Sequence, residues 1–296
     1  MLIDTHIHLS YHPFDQGFPY IAREKDAFVI RRGSREDVIR EIRAAGTAAC
    51  IDPAVDLGSN EKLLALAEQY PGFIFPAVGV HPTRVFQAAE KGKDGRMSGR
   101  KRFAQFLEHP AVIAVGETGL DYHLARKEQH RLRQIIWFIR QLKAAHRKGL
   151  PVILHIREAH EDALRILRRY RNCLHGGVCH CFRGSADEAR SYTELGLMLG
   201  IGGSLLKDAP GTAALEQAVI MTPLDRILLE TDGPYVRPEN PGFPNKQWEK
   251  ARNTSLILPA VAARIAELKS VPPEEVERVT AENAVRVFRL PPLGEV

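Results

Sequence analysis

Two histidines separated by one apolar residue, His6-Ile7-His8, are the first residues of this chain that could do chemistry together. On an extended strand, residues i and i+2 share a face about 7 Å apart, so both imidazoles can reach one cation. Taken alone, such a pair is as well explained by two buried histidines, each satisfied by a hydrogen bond. Four further positions change that balance: Glu117 ends the run AVIAVGE, His155 stands in LPVILHI, His180 in GVCHCF and Asp232 ends DRILLETD. Each places an ionisable group at the C-terminal end of an apolar segment. Burying one such group unpaired costs several kcal/mol, so repeated chance placement is improbable, and a shared cation accounts for all of them. By ligand type, His6, His8 and Asp232 can hold one ion and His155 and His180 a second, with the two oxygens of Glu117 bridging them. Two ions roughly 3.5–4 Å apart would clamp an attacking hydroxide and a phosphoryl or carbonyl oxygen. Asp232 is placed to orient the water or take its proton. The expectation is two divalent metal ions per chain, and mixed N/O donors suit Zn, Mn, Fe or Ni, with Mg also compatible.

These side chains are far apart in sequence, so the elements that carry them must converge. Apolar runs leading into Asp4 and at 47–52, 73–80, 111–117, 150–156, 177–182, 196–201 and 225–232 read as strands buried on both faces. Helical patterns at 34–45, 60–70, 100–108, 127–148, 159–170 and 187–195 lie between them. In 127–148 the stripe Leu132, Ile135, Ile136, Ile139 and Leu142 is the expected buried face. Alternating strands and helices predict an α/β chain folded as a (β/α)8 TIM barrel, with the ionisable strand ends gathered at its C-terminal rim. The stretches 11–33, 89–100 and 234–253 read as active-site loop insertions, and residues 1–296 as one barrel domain.

The chain has 44% hydrophobic and 26% charged residues, which excludes a disordered or fibrous class. No apolar run approaches the roughly 18 residues of a membrane span, and no secretory pattern precedes Asp4. The four cysteines, Cys50, Cys173, Cys179 and Cys181, form no CxxC array, and strand alternation turns Cys179 and Cys181 away from His180 into the core. A cytoplasmic, monomeric protein is expected. The net charge of +5 is compatible with a polyanionic partner. The basic clusters Arg96/Arg100/Lys101/Arg102 and Arg165/Arg168/Arg169/Arg171 read as solvated helix faces, and His12, His146, His160 and His175 as ordinary histidines.

The stretches DTHIHL at 4–9, GVHP at 79–82, GETGLDY at 116–122 and PVILHIR at 151–157 occur in one order with HCFRG at 180–184, ETDGPY at 230–235 and ENAVRVF at 282–288. In these the chain resembles the TatD-family metal-dependent hydrolases, or TatD-type deoxyribonucleases, of the amidohydrolase-like superfamily. The resemblance implies a metal-dependent hydrolase with DNA as substrate. It implies metal-ligand positions at His6, His8, Glu117, His155, His180 and Asp232, with Glu117 and Asp232 also catalytic. It implies that His81 and Arg157 lie near a substrate phosphate, and that Asp4 and Glu230 orient ligands. Phosphotriesterase-like barrels bridge their metals with a modified lysine, and Glu117 in that place favours the TatD-like reading. The chain departs from the family's pattern in the long 11–33 stretch and in Arg252-Asn253-Thr254-Ser255, where RxNEP or similar is usual. An alternative keeps the site but hydrolyses a small ester, amide or lactone. A non-catalytic binding barrel would need a missing ligand, and all six positions are filled.

Overall fold

The computed structural model describes the chain except residues 26, 90–97, 126 and 294–296, and of residue 89 the backbone alone. Much of the expected 89–100 insertion, with Arg96, therefore lies outside the described residues. Eight strands pair in parallel, in the order β1 (Leu2–Asp4), β4 (Thr47–Pro53), β5 (Ile74–Val78), β6 (Ala114–Asp121), β7 (Val152–Arg157), β8 (Gly177–Cys179), β9 (Met198–Ile201) and β10 (Ile227–Leu229). The sheet closes between its first and last members. The Thr5 amide donates to the Leu229 carbonyl (3.0 Å), the Asp232 amide to His6 (2.8 Å) and the His8 amide to Gly233 (2.8 Å). The (β/α)8 expectation is met, and closure leaves no exposed edge on the strands that carry the site.

Helices α1 (Arg35–Ala44), α2 (Leu57–Gln69), α3 (Val85–Ala89), α4 (Gly99–Phe106), α5 (Glu128–Lys148), α6 (His160–Arg169), α7 (Ala186–Glu194) and α8 (Thr212–Met221) connect successive barrel strands. Helices α9 (Asn245–Lys250), α10 (Leu258–Lys269) and α11 (Pro273–Phe288) follow the last strand. The start of α1 is fixed by a capping box between Ser34 and Asp37. Helix α2 begins earlier than its apolar pattern suggests because the Asp56 carboxylate accepts the Gly58 and Ser59 amides.

The buried face of α5 differs from the expected stripe. Leu132 and Ile136 are 56% and 39% exposed, while Gln134, Trp137, Phe138, Gln141, Leu142 and Ala145 face inward. The glutamines are buried because each is satisfied. Gln141 accepts the Val80 amide (2.8 Å) and donates to the Val80 carbonyl (3.0 Å) and the Thr118 hydroxyl (2.7 Å). Gln134 accepts the Asp121 amide and donates to its carbonyl. Two polar side chains thus tie α5 to the ends of the strands beside Glu117.

Strand alternation separates two cores. Ile3, Ile51, Phe75, Ile153, Val178, Met198 and Leu228 fill the barrel interior, where Ala284 and Phe288 of α11 join them. Val115, Val152, Leu154, Leu199 and Leu229 face outward against the helices. The insertion at 11–33 contains elements absent from the sequence reading: an antiparallel hairpin of β2 (Phe18–Glu24) and β3 (Ala27–Gly33). The free edge of β2 is covered, since the Ile21 amide donates to the Arg252 carbonyl and the Arg252 amide to Pro19. The third insertion, 234–253, thereby extends the hairpin into a wall beside the barrel mouth.

Replacing Phe288 by Ala removes a buried ring from the barrel interior and should cost about 3–5 kcal/mol. Urea unfolding should show a lower midpoint with metal content unchanged. An unshifted midpoint would remove α11 from the account of the core.

Candidate metal centre

All six expected side chains meet at one rim of the barrel. In β1 Ile3 points into the barrel; the chain bends at Thr5, after which Ile7 points out into the hairpin-side core and its neighbours His6 and His8 project inward. In β7, Val152 and Leu154 point outward while Ile153 points inward, so His155 and then Arg157 project into the mouth. His180 follows Val178 and Cys179 in the same way. Asp232 lies past β10 with φ 53°, and its amide is held by the His6 carbonyl. A left-handed backbone is tolerated best by residues with short polar side chains, and here it turns the carboxylate back toward His6 and His8.

The donor atoms form two groups that share Glu117. On one side, His6 Nε2 is 3.3 Å from His8 Nε2 and 3.7 Å from Asp232 Oδ1, and His8 Nε2 is 3.4 Å from that oxygen. Glu117 reaches this group with Oε1, 3.3 Å from His8 Nε2. On the other side, Glu117 Oε2 is 2.8 Å from His180 Nε2 and 3.5 Å from His155 Nδ1, and those two nitrogens are 3.1 Å apart. Three overlapping groups have ligand atoms close enough for one cation: His6/His8/Asp232, His6/Glu117/His180 and His81/Glu117/His155.

The surroundings decide which ring nitrogens are free. His8 Nδ1 must donate to the Pro53 carbonyl at 3.0 Å, so a neutral His8 has its lone pair on Nε2. His155 Nε2 faces Asp121 Oδ2 at 3.2 Å, which leaves Nδ1 toward Glu117. His81 Nδ1 accepts the Thr83 amide at 3.2 Å, so a neutral His81 carries its proton on Nε2. That places an N–H donor 3.8 Å from Glu117 rather than a bare ligand nitrogen. The same contact caps the turn after β5.

The electrostatics fit a cation. Burial pushes the carboxyls of Glu117 and Asp232 up, but the surrounding imidazoles outweigh it and hold both below the ordinary range, Glu117 far below. Burial, reinforced by neighbouring imidazoles, lowers His6 to about 4 and His81 to about 3. His8 and His155 go the other way against their own burial, each to about 9: Asp232 and Glu117 raise the first, Asp121 and Glu117 the second. The pocket therefore demands positive charge, and without a metal two imidazoles must supply it. Two imidazole nitrogens facing each other at 3.3 Å among carboxylate oxygens form a donor set that a divalent cation satisfies in full.

The remaining expected residues act around this centre. Asp4 does not touch an imidazole. It accepts the amides of His6 (3.2 Å) and Thr231 (3.1 Å) and the hydroxyls of Thr231 and Ser255 (both 2.7 Å), so it fixes the backbone beside His6 and Asp232. Glu230 accepts the Cys181 amide and lies 4.0 Å from His180 Nδ1. Gly200 makes room for it, since a Cβ there would fall 2.0 Å from Glu230 Oε2. Arg157 is exposed at the mouth, and among the described residues its guanidinium is in no ion pair. The Asn253-Thr254-Ser255 departure faces inward: Asn253 donates to the Thr231 carbonyl and Ser255 to Asp4, so of that stretch only Arg252 is not buried.

Cys179 is in the core as expected, but Cys181 is not. Its φ of 46° breaks the strand alternation, and it joins none of the apolar clusters. Asp121 escaped the sequence reading although it lies on the same strand as Glu117, and the register of β6 on β7 brings it beside His155. Tyr235 and Tyr11 also escaped it, and their rings lie 6.2 and 6.4 Å from that of His8.

A family model described as TatD related DNase matches residues 3–289. The chain is 31% identical to an uncharacterized metal-dependent hydrolase, YabD, of Bacillus subtilis (strain 168), over 98% of this chain and 100% of the relative. It is 32% identical to the 3'-5' ssDNA/RNA exonuclease TatD of Erwinia billingiae (strain Eb661), over 87% of this chain and 94% of the relative. The crystal structure of YJJV, a TatD homologue from Escherichia coli k12, superposes with a TM-score of 0.79 at 30% identity, covering 98% of both chains. A match across nearly the whole barrel, on a rim that carries this donor set, places the chain in the TatD-related DNase family of metal-dependent hydrolases.

Proposed function

We propose that this hydrolase is a nuclease that cleaves phosphodiester bonds of DNA with two divalent cations. The observation that carries the reading is the convergence of His6, His8, Glu117, His155, His180 and Asp232 on one point, with Glu117 presenting one oxygen to each group. Cations held by these residues would make a water more acidic and stabilise negative charge on a phosphoryl oxygen. Zn, Mn, Fe, Ni and Mg are all compatible with the donors.

The chain's own residues do the rest. Asp232, kept ionised by its imidazole neighbours, accepts the proton of the attacking water. The resulting hydroxide bonds to phosphorus as the bond to the leaving oxygen breaks, and solvent protonates that oxygen. His81 offers its Nε2–H to a non-bridging phosphoryl oxygen, and Arg157 supplies a fixed positive charge at the mouth. Asp121 holds the His155 ring in the tautomer that turns Nδ1 toward Glu117. The 3'-5' ssDNA/RNA exonuclease relatives support a nucleic-acid substrate. Among the described residues no helix is long and apolar enough to cross a membrane.

Purified protein should carry about two metal equivalents per chain, and chelation should abolish cleavage of DNA. Asp232→Ala should keep its circular dichroism spectrum and lose about 10²–10⁴-fold in kcat. Full activity in that variant would end the proposed role. DNA and small esters, amides and lactones should be assayed with the same metals. Turnover of the small substrates with none of DNA would replace the nuclease reading by the alternative one.

Asp121→Asn keeps the side chain's shape but weakens its grip on His155. Metal affinity by competitive chelation should fall about 10–100-fold, with the fold intact. Unchanged affinity would show that the His155 ring needs no such partner.

A further inference from the structure

The mouth of the barrel continues into a groove of about 530 Å³ between the hairpin and the 234–253 segment. Phe18, Arg32, Tyr235, Arg237, Lys250 and Arg252 line it, and Glu249 is its one acidic residue. Among the described residues none of the four basic side chains is in an ion pair. Arg32 reaches only the Gly17 carbonyl (3.3 Å), and Arg252 stacks its guanidinium on the Phe18 ring (4.6 Å). The adjacent hairpin residue shows the contrast. Arg31 points the other way and is neutralised by Glu24 and Glu41, both at 2.8 Å. Alternation along β3 thus sorts a paired cation to one face and an uncompensated one to the groove.

The groove leads to the metal centre. Tyr235, 46% exposed, lines it and also stands 6.2 Å from the His8 ring. At the other side Arg237 is close enough to Lys207 for the two charges to repel, and Lys207 and Arg183 line a smaller pocket of about 110 Å³. An uncompensated cationic track with an aromatic face at its inner end is how proteins hold single strands: phosphates follow the cations and a base stacks on the ring.

The geometry points to this groove as the seat of a single-stranded nucleic acid backbone whose reactive phosphate lies at the metal centre, with a neighbouring base on Tyr235. The inference rests on the nuclease reading and adds to it a strand path supplied by the hairpin. Another basic groove, of about 570 Å³ between α4 and α5, is lined by Arg100, Lys101, Arg140, Lys143 and Arg147. It lies in the outer helical layer, between α4 and the second half of α5, and shares no lining residue with the first groove. It serves as the control for charge alone.

The test compares the metal-loaded wild type with two double variants, Arg32→Ala/Lys250→Ala in the groove and Lys101→Ala/Arg147→Ala in the control. Binding is read by fluorescence anisotropy with a cleavage-resistant phosphorothioate strand of about 12 nucleotides and with the matching duplex. In the groove variant, single-strand affinity should fall about tenfold, and the salt dependence should flatten by about 1.4, at about 0.7 per cation. On an unmodified strand KM should rise by a similar factor with kcat nearly unchanged. Hydrolysis of bis(p-nitrophenyl) phosphate, too short to enter the groove, should not change. The control pair should match the wild type throughout. Unchanged single-strand affinity in the groove variant, an equal loss in the control pair, or a larger loss on the duplex would each overturn the proposal. If the wild type cleaves no nucleic acid, the nuclease reading fails on its own. The binding isotherms still decide the groove, which is overturned if the wild type does not bind the strand.

Discussion

The structure depends on keeping carboxylates ionised away from water. Glu117, Asp232 and Asp121 are enclosed at the rim, and burial pushes the pKa of each carboxyl up. What holds them as anions is positive charge inside the barrel mouth, from imidazoles in the bare chain and from cations in the working enzyme. Glu230 shows the opposite outcome. It lies beside Asp232 without a cation of its own, and burial and that negative neighbour push it well above the ordinary range. Glu230 and Glu117 flank His180, with pKa values driven in opposite directions by their surroundings.

Such a cluster repels itself unless the backbone is held firmly, and the holding groups can be traced. Asp4 ties the amide of His6 to that of Thr231, so the segments that carry His6 and Asp232 are held together. Asp52 accepts both the amide and the hydroxyl of Ser10, which fixes the chain just past His8. Gln134 and Gln141 reach from α5 to Asp121 and Thr118 on the strand of Glu117. Glu158, Cys181 and Asp232 all take left-handed backbone angles just where strands give way to loops. Strain of this kind, about 1–3 kcal/mol each, persists only where the surrounding structure over-determines it.

The sequence made the barrel strands legible because each is a short apolar run, and a run ending in His, Glu or Asp is conspicuous. The same features mark the six residues that converge at the rim. Three things were hidden, each for a physical reason. The α5 face was misread because hydrophobicity ranks Gln134 below Leu132, whereas a glutamine with all its bonds made is at home in a core. The hairpin was missed because residues 18–33 mix buried aromatics with arginines, and the edge of β2 is covered by Arg252, more than 200 positions away. Asp121 was passed over because its role needs the register of β6 on β7, which no local pattern encodes.

The clamps and the hairpin belong to one connected unit. Arg252 is bound through its backbone to β2, Asn253 to the Thr231 carbonyl, and Ser255 to Asp4, which in turn holds the His6 amide. These three contacts therefore join the wall of the groove to the backbone beside both His6 and Asp232. Residues 252–255 depart from the usual family pattern where the hairpin insertion needs an anchor, so the two departures form a single structural change. The hairpin wall is thereby hydrogen-bonded to the backbone that carries Asp232 and His6. Under the proposed strand path, such coupling would fix the distance from a strand in the groove to the candidate metal centre.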